Sequence, residues 1–503
     1  MTNTSNSRIL GALALALSLS TALPGMAEAK EVLTIDLVNE PATLDPHKQW
    51  NPDSYYVYRN IFDNLVTRDD AGEIMPQIAT EWDQISDTEV VFTIRDDVMF
   101  HDGEKLTPED VVFTVKRITD PAFASPQLGQ FDKIVEAEVM EGNKVKLTTD
   151  GPYPALLAQL VKLSIVPEHV VTEVGDDAFN ANPVGSGPYK FASWNRGVDV
   201  KLERNDEYWG EKGVFESAVF RGVPDASTRL ANLQAGTADL VVTLNADLAQ
   251  QLEASGRGKV MTVNTERVAY FAMNSALEPL DNMELRKAIG YAIDREGIVE
   301  GLLGGYPKVV DELVSPAHFG WVDGVEGFSY DPDQAKEIIS GLGEDAKQTM
   351  KLATSPVFDQ RVVQAIQQML TDVGLSVEIE TTDMATWLKD QQTTPDQAPM
   401  LTFSRWSCAC QDADGIMYPL LHSSSAWSRF NDGEIDKLLD DARSELDVEK
   451  RQQLYADLHD LVIDKVAILP LYQAAIIYGG AEALEWQPTS NESLFLNRMG
   501  WAE

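Results

Sequence analysis

The sequence predicts an α/β fold in which two lobes are joined by crossings of the chain, and three observations carry that expectation. Helical periodicity alternates with short apolar runs over residues 204–268, and again over 269–379. Residues 182–209, NPVGSGPYKFASWNRGVDVKLERNDEYW, read as the point where a long excursion ends and the chain re-enters its main sheet. The chain also passes between the two alternating regions twice, which gives two walls with a hinge between them.

The elements follow in order. Residues 1–29 carry Arg8, an apolar run over 9–23, Pro24-Gly25 and Ala27-Glu28-Ala29, the layout of a cleavable secretory signal with Lys30 as the mature start. The run is short for a bilayer span, and no cysteine stands beside the cut. The expectation is export without a lipid anchor, most naturally into a Gram-negative periplasm. Val32, Leu33, Ile35, Leu37 and Val38 then form a strand, broken by Asn39-Glu40-Pro41. A strand running into a loop with a carboxylate is a natural place for a ligand contact.

Residues 63–181 make the excursion. Val90, Phe92 and Ile94 alternate with Val91, Thr93 and Arg95 as a strand, and His101 and Asp102 read as turn residues. Thr107-Pro108-Glu109-Asp110 starts a helix, with Thr as cap, Pro in the first turn and Asp completing the capping box. After the excursion, Tyr189, Phe191 and Trp194 precede a turn at Asn195, Arg196 and Gly197, and alternation from Val198 to Glu203 completes a hairpin. The Gly-Ser-Gly before it opens a strand, which argues against a dinucleotide fingerprint.

Residues 227–235 read as a helix stopped by Gly236, and Asp239 to Val242 as a strand. A second α/β unit begins at Tyr270 to Asn274, with Asp281 capping a helix, Asp331-Pro332 starting the next, and residues 361–370 another before alternating Val377 and Ile379. This pattern implies a mostly parallel sheet covered by helices. Residues 404–430 are the least regular in this half, and they gather Arg405, Trp406, Asp412, Asp414, Trp427 and Arg429. Long irregular segments are usually functional. Helices at 435–442 and 449–463 and a buried strand at 467–472 follow, and the C-terminal tail is expected to pack back on the first lobe.

Eighty acidic residues against forty basic ones give a formal charge of −40, which repels phosphate backbones and excludes nucleic acid as a partner. Cys408 and Cys410 are too few for a four-ligand zinc site and leave pairing open. The six histidines lack metal-ligand spacing, and the chain has no zinc-protease helix motif, phosphate loop, nucleophile elbow or Ser-x-x-Lys. Asp412 and Asp414 could be written as an acid/base pair, but neighbours two apart in a loop are common. Binding without chemistry fits better than catalysis: no enzyme, no cofactor and no metal are expected.

PVGSGPYKFASW with LERNDEYW, LVNEPATLDPHK, VFTIRDDVMFHDGEKLTPEDVVFTVKRITDP and NMELRKAIGYAIDREGIV together resemble the family-5 solute-binding proteins of ABC importers, the peptide, opine and nickel binders. The resemblance covers nearly the whole mature chain. It implies a periplasmic binding protein type II-like two-lobed fold with an additional α+β domain. Lobe I would comprise 30–62, 182–268 and 478–503, the additional domain 63–181, and lobe II 269–477. It further implies a monomer that captures a peptide or peptide-like nutrient and delivers it to an inner-membrane permease. The alternatives are an opine, an oligosaccharide or chelated nickel, or, from other classes, a secreted hydrolase or a sensor scaffold.

Seven residues are the expected ligand contacts: Met384 by position, Trp406 and Trp427 by stacking, Arg405 by charge, and Glu40, Tyr270 and Asn274 by hydrogen bonds. In peptide-binding members an aspartate for the ligand's amine follows the tryptophan matching Trp406 by three residues; here that position is Ala409. Dipeptide binders also carry an arginine for the ligand's carboxylate where this chain reads Thr354-Ser355-Pro356-Val357. Asp412, Asp414 or Arg405 could substitute.

Overall fold

Two long strands, Lys259–Met273 and Leu469–Gly480, pair antiparallel through the centre of an eleven-stranded sheet and carry the chain from one lobe to the other. The structure is a computed structural model that describes residues 31–49 and 51–502; the expected signal segment lies outside the described residues. On one side of the crossing pair the sheet continues through Leu401–Trp406 and Thr349–Thr354 to Ser376–Thr381. On the other it continues through Leu240–Val241, Val32–Leu37, Ser217–Gly222 and Asp199–Arg204 to Tyr189–Asn195.

Period-two alternation explains why the second lobe needs helices on both faces. Along the first crossing strand Ala269, Phe271 and Met273 enter one core with Leu352, Val362 and Phe403, whereas Tyr270 and Ala272 enter another with Ile416, Leu420 and Tyr455. Burying a side chain such as Phe271 completely contributes about 2 kcal/mol. The first lobe is built the same way, with Leu33, Ile35, Val200 and Phe220 on one face and Leu233, Val241 and Leu252 on the other. Leu494, Leu496 and Met499 of the tail join the first of these cores.

The sheet is mixed, which corrects the expectation of a mostly parallel one. Val32–Leu37 pairs parallel with Ser217–Gly222, and Thr349–Thr354 parallel with Ser376–Thr381, but the two crossing strands run antiparallel to each other, and Lys259–Met273 is antiparallel to Leu401–Trp406 as well. Helix–strand alternation imposes parallel pairing only on strands joined by a local crossover. The crossing strands meet after more than a hundred intervening residues, and nothing local sets their direction.

The excursion folds as a four-stranded antiparallel sheet, ordered Ala79–Ser86, Glu89–Ile94, Lys144–Thr149, Ile134–Met140, under the helix Pro108–Thr119. The Thr107 amide donates to the Asp110 carboxylate at 2.9 Å, as the capping box requires. Phe92, Ile94, Val111, Val115 and Leu147 form its core, while Val166, Val171 and Phe179 pack into the first lobe instead.

Two local expectations shift. Asn282, not Asp281, caps Met283–Ala292, because its side chain reaches the Glu284 amide at 3.0 Å. Residues 404–430 contain the helix Asp414–Leu421, which the internal Pro419 hides from a reading of helical pattern.

Candidate functional site

The first crossing strand is bulged between Asn264 and Val268. A bulge bends its strand and leaves residues outside the ladder. There Thr265 donates to the Ala474 carbonyl at 3.1 Å, the Glu266 amide donates to the Ser490 carbonyl at 3.1 Å, and Arg267 holds Glu492 at 2.6 and 3.1 Å. The inserted domain reaches the second lobe beside this bulge, where Arg68 donates to the Cys410 carbonyl, and the neighbouring Gln411 donates to Ser490 of the C-terminal tail at 3.1 Å.

A cavity of about 320 Å³ opens between those two parts. Its second-lobe wall is the end of Leu401–Trp406, the loop after it and the start of Asp414–Leu421. Pro419 has no N–H for the Gly415 carbonyl four residues back, and the Trp406 indole N–H supplies the missing donor at 3.0 Å. This bond sets Trp406 at the cavity's edge. Cys408 and Cys410, left open from sequence, are disulfide-bonded, and their sulfurs crowd the Gly415 backbone.

The opposite wall belongs to the inserted domain and offers Tyr153, Gln159 and Lys162. Burial pushes the Asp414 carboxyl up to about 6, opposed by Arg443, whose Nε lies 3.3 Å away. The Tyr153 hydroxyl donates to Asp414 at 3.3 Å. Asp412 is sealed off in a bidentate pair with Arg451 at 2.6 and 2.8 Å. Burial pulls the Lys162 ammonium down to about 7, against the fields of Glu266 and Asp414.

Of the seven expected contacts, Trp406 lines this cavity. Trp427 stands behind it, edge to face at 5.1 Å, and shares a separate crevice with Tyr270. Strand alternation turns Arg405 to the other sheet face, where it is exposed in a second groove of about 210 Å³ beside Asp359 and Tyr472. Met384 starts the helix Met384–Gln391 and packs on the second-lobe core. The two remaining side chains are taken up structurally. Glu40 accepts the Trp194 indole at 2.7 Å and the Gly197 amide at 3.0 Å, which pins the hairpin turn. Asn274 is fully buried, donating to the Pro395 carbonyl at 2.7 Å and accepting from the Ala276 amide at 3.1 Å.

The sequence reading missed Tyr153, Gln159 and Lys162. Their one signal was a lysine inside the apolar run LLAQLVKLSIV, over residues 156–166. Among the described residues no cluster of side chains suited to a metal ion occurs, and no helix is long and apolar enough to cross a membrane.

Two lobes joined by a bulged pair of strands around a polar, aromatic-edged cavity define a solute-binding protein. The family model for bacterial extracellular solute-binding proteins, family 5, matches residues 73–428, and the chain belongs to that family. Among its relatives, heme-binding protein A of Haemophilus influenzae is 26% identical over 467 residues, covering 86% of this chain and 84% of the relative. The glutathione-binding protein GsiB of Escherichia coli O157:H7 is 25% identical over 478 residues, covering 91% and 92%. The fold matches the periplasmic binding protein DppA of Helicobacter pylori in complex with the peptide STSA, at a TM-score of 0.82, 23% identity, and coverage of 94% and 99%. It also matches CtaP of Listeria monocytogenes at a TM-score of 0.85, 23% identity, and coverage of 95% and 100%.

Proposed function

We propose that this protein captures a peptide or peptide-like solute in the cavity between the inserted domain and the second lobe, and passes it unaltered, as a monomer in the periplasm, to an ABC permease of the inner membrane. The observation that carries this reading is the cavity's construction from two parts of the chain far apart in sequence, the inserted domain on one wall and the second lobe on the other. A solute stabilises the closed arrangement to the extent that it touches both walls, and Trp406 on one side with Lys162 and Gln159 on the other supply such contacts. The volume suits a small peptide.

The experiment is a thermal-shift screen of the mature protein against peptides, opines, sugars and metal chelates. A ligand at a hundred times its Kd adds about 2.7 kcal/mol to the native state, so the melting temperature rises. Peptides are expected to give the largest rise and to be recovered intact by mass spectrometry. A panel in which no peptide shifts the transition, or in which the peptide is cleaved, contradicts the proposal.

A further inference from the structure

We infer that Lys162, on the inserted-domain wall of the cavity, is the anchor for an acidic group of the solute. The inference rests on the solute-binding reading of the same cavity and names the charge its solute must carry.

Lys162 is 8% exposed and lines the cavity. Its ammonium donates to the Gln130 amide oxygen at 2.5 Å, lies 3.8 Å from the Cys408 sulfur and stands over the Phe131 ring, 6.0 Å from its centroid. A buried ammonium requires a counter-charge or a full set of acceptors, and a neutral amide, a disulfide sulfur and one ring face provide neither.

The groups around it do not fill that role. Glu266 and Asp414 reach Lys162 only through their fields, and no carboxylate among the described residues stands at ion-pair distance from it. Asp414 is engaged by Arg443 and Tyr153, while Arg68 adds a second positive charge nearby. One turn before Lys162, Gln159 is 3% exposed, and its side-chain amide oxygen has no donor. The wall therefore presents a buried amine without an ion-pair partner and a free acceptor side by side. A solute with a carboxylate next to an N–H group, as at the C-terminal end of a peptide, satisfies both.

The test is calorimetric titration of the mature protein and of Lys162→Met with trialanine and with trialanine amide. Wild-type protein is expected to bind the free acid at least tenfold more tightly than the amide. In Lys162→Met the acid should weaken by about 10- to 100-fold and the two ligands become equal, the scale of a charge-assisted hydrogen bond. The solute-free variant should also melt higher than wild type, because an unpaired buried charge is replaced by an apolar chain of similar volume; a residue that merely supports the fold would lower it. Equal binding of acid and amide by wild-type protein overturns the inference without reference to any variant, as does a preference that survives in Lys162→Met. If neither tripeptide binds, the peptide reading falls, and the anchor is decided by glutarate against glutaramide. Glutarate raising the melting temperature of wild type but not of Lys162→Met upholds it, and any other result overturns it.

Discussion

Trp406 is held in place by an accident of its neighbour's chemistry: Pro419 leaves the Gly415 carbonyl without a helical donor, and the indole replaces it. Trp406→Phe keeps the ring and loses the donor, so it should cost about 1 kcal/mol in urea denaturation, the value of a hydrogen bond whose acceptor is left short. Asp412 and Arg451 form a buried pair, and Arg451→Met strands the carboxylate; we expect a loss of about 3 kcal/mol or more by the same assay. Asp414 makes a pH prediction. Its folded-state value of about 6 lies above the unfolded value of 3.8, so between those limits the native state holds the proton more tightly and stability falls as pH rises. Asp414→Asn should flatten that part of the profile, by at most about 3 kcal/mol between pH 4 and 7.

At this scale the sequence announced residue types well and their employment poorly. Trp406 and Glu40 both stood out in their loops, but whether either faces the cavity depends on partners far along the chain. Trp194 takes Glu40 from 154 positions away. The Asp412 and Asp414 carboxylates looked free because Arg451 and Arg443 come from later helices.

Elements carry the loop that forms the cavity wall. The Gly415 backbone lies against both sulfurs of the Cys408–Cys410 disulfide, and a methyl group there would collide with each. Gly415→Ala should therefore displace either the disulfide loop or the start of the helix Asp414–Leu421. The expected readout is a lower melting temperature together with weaker solute binding; unchanged binding would show that this loop does not shape the cavity. Helices with Asp caps or Asp-Pro starts were legible in the sequence, since Asp331 accepts the Gln334 amide at 2.9 Å as its position implies. The helix Asp414–Leu421 was not, because its Pro419 breaks the pattern that identifies helices, and its replacement donor lies outside the helix.

On the scale of the whole molecule, alternation and the returning hairpin were enough to predict two lobes and an excursion, because each piece is a local pattern with its own buried face. Strand direction in the sheet and the meeting of the inserted domain with the second lobe were out of reach. Both arise where segments hundreds of residues apart touch, as Arg68 does with Cys410. The bulged crossing strands carry the chain between the two lobes, and closure around them is the centre of the account.

Small-angle X-ray scattering of the mature protein, with and without a saturating solute whose binding calorimetry has established, tests that centre most directly. The account predicts a smaller radius of gyration with the solute bound and full recovery of the solute unchanged. Identical scattering profiles at demonstrated saturation, or a solute consumed during the measurement, would contradict it.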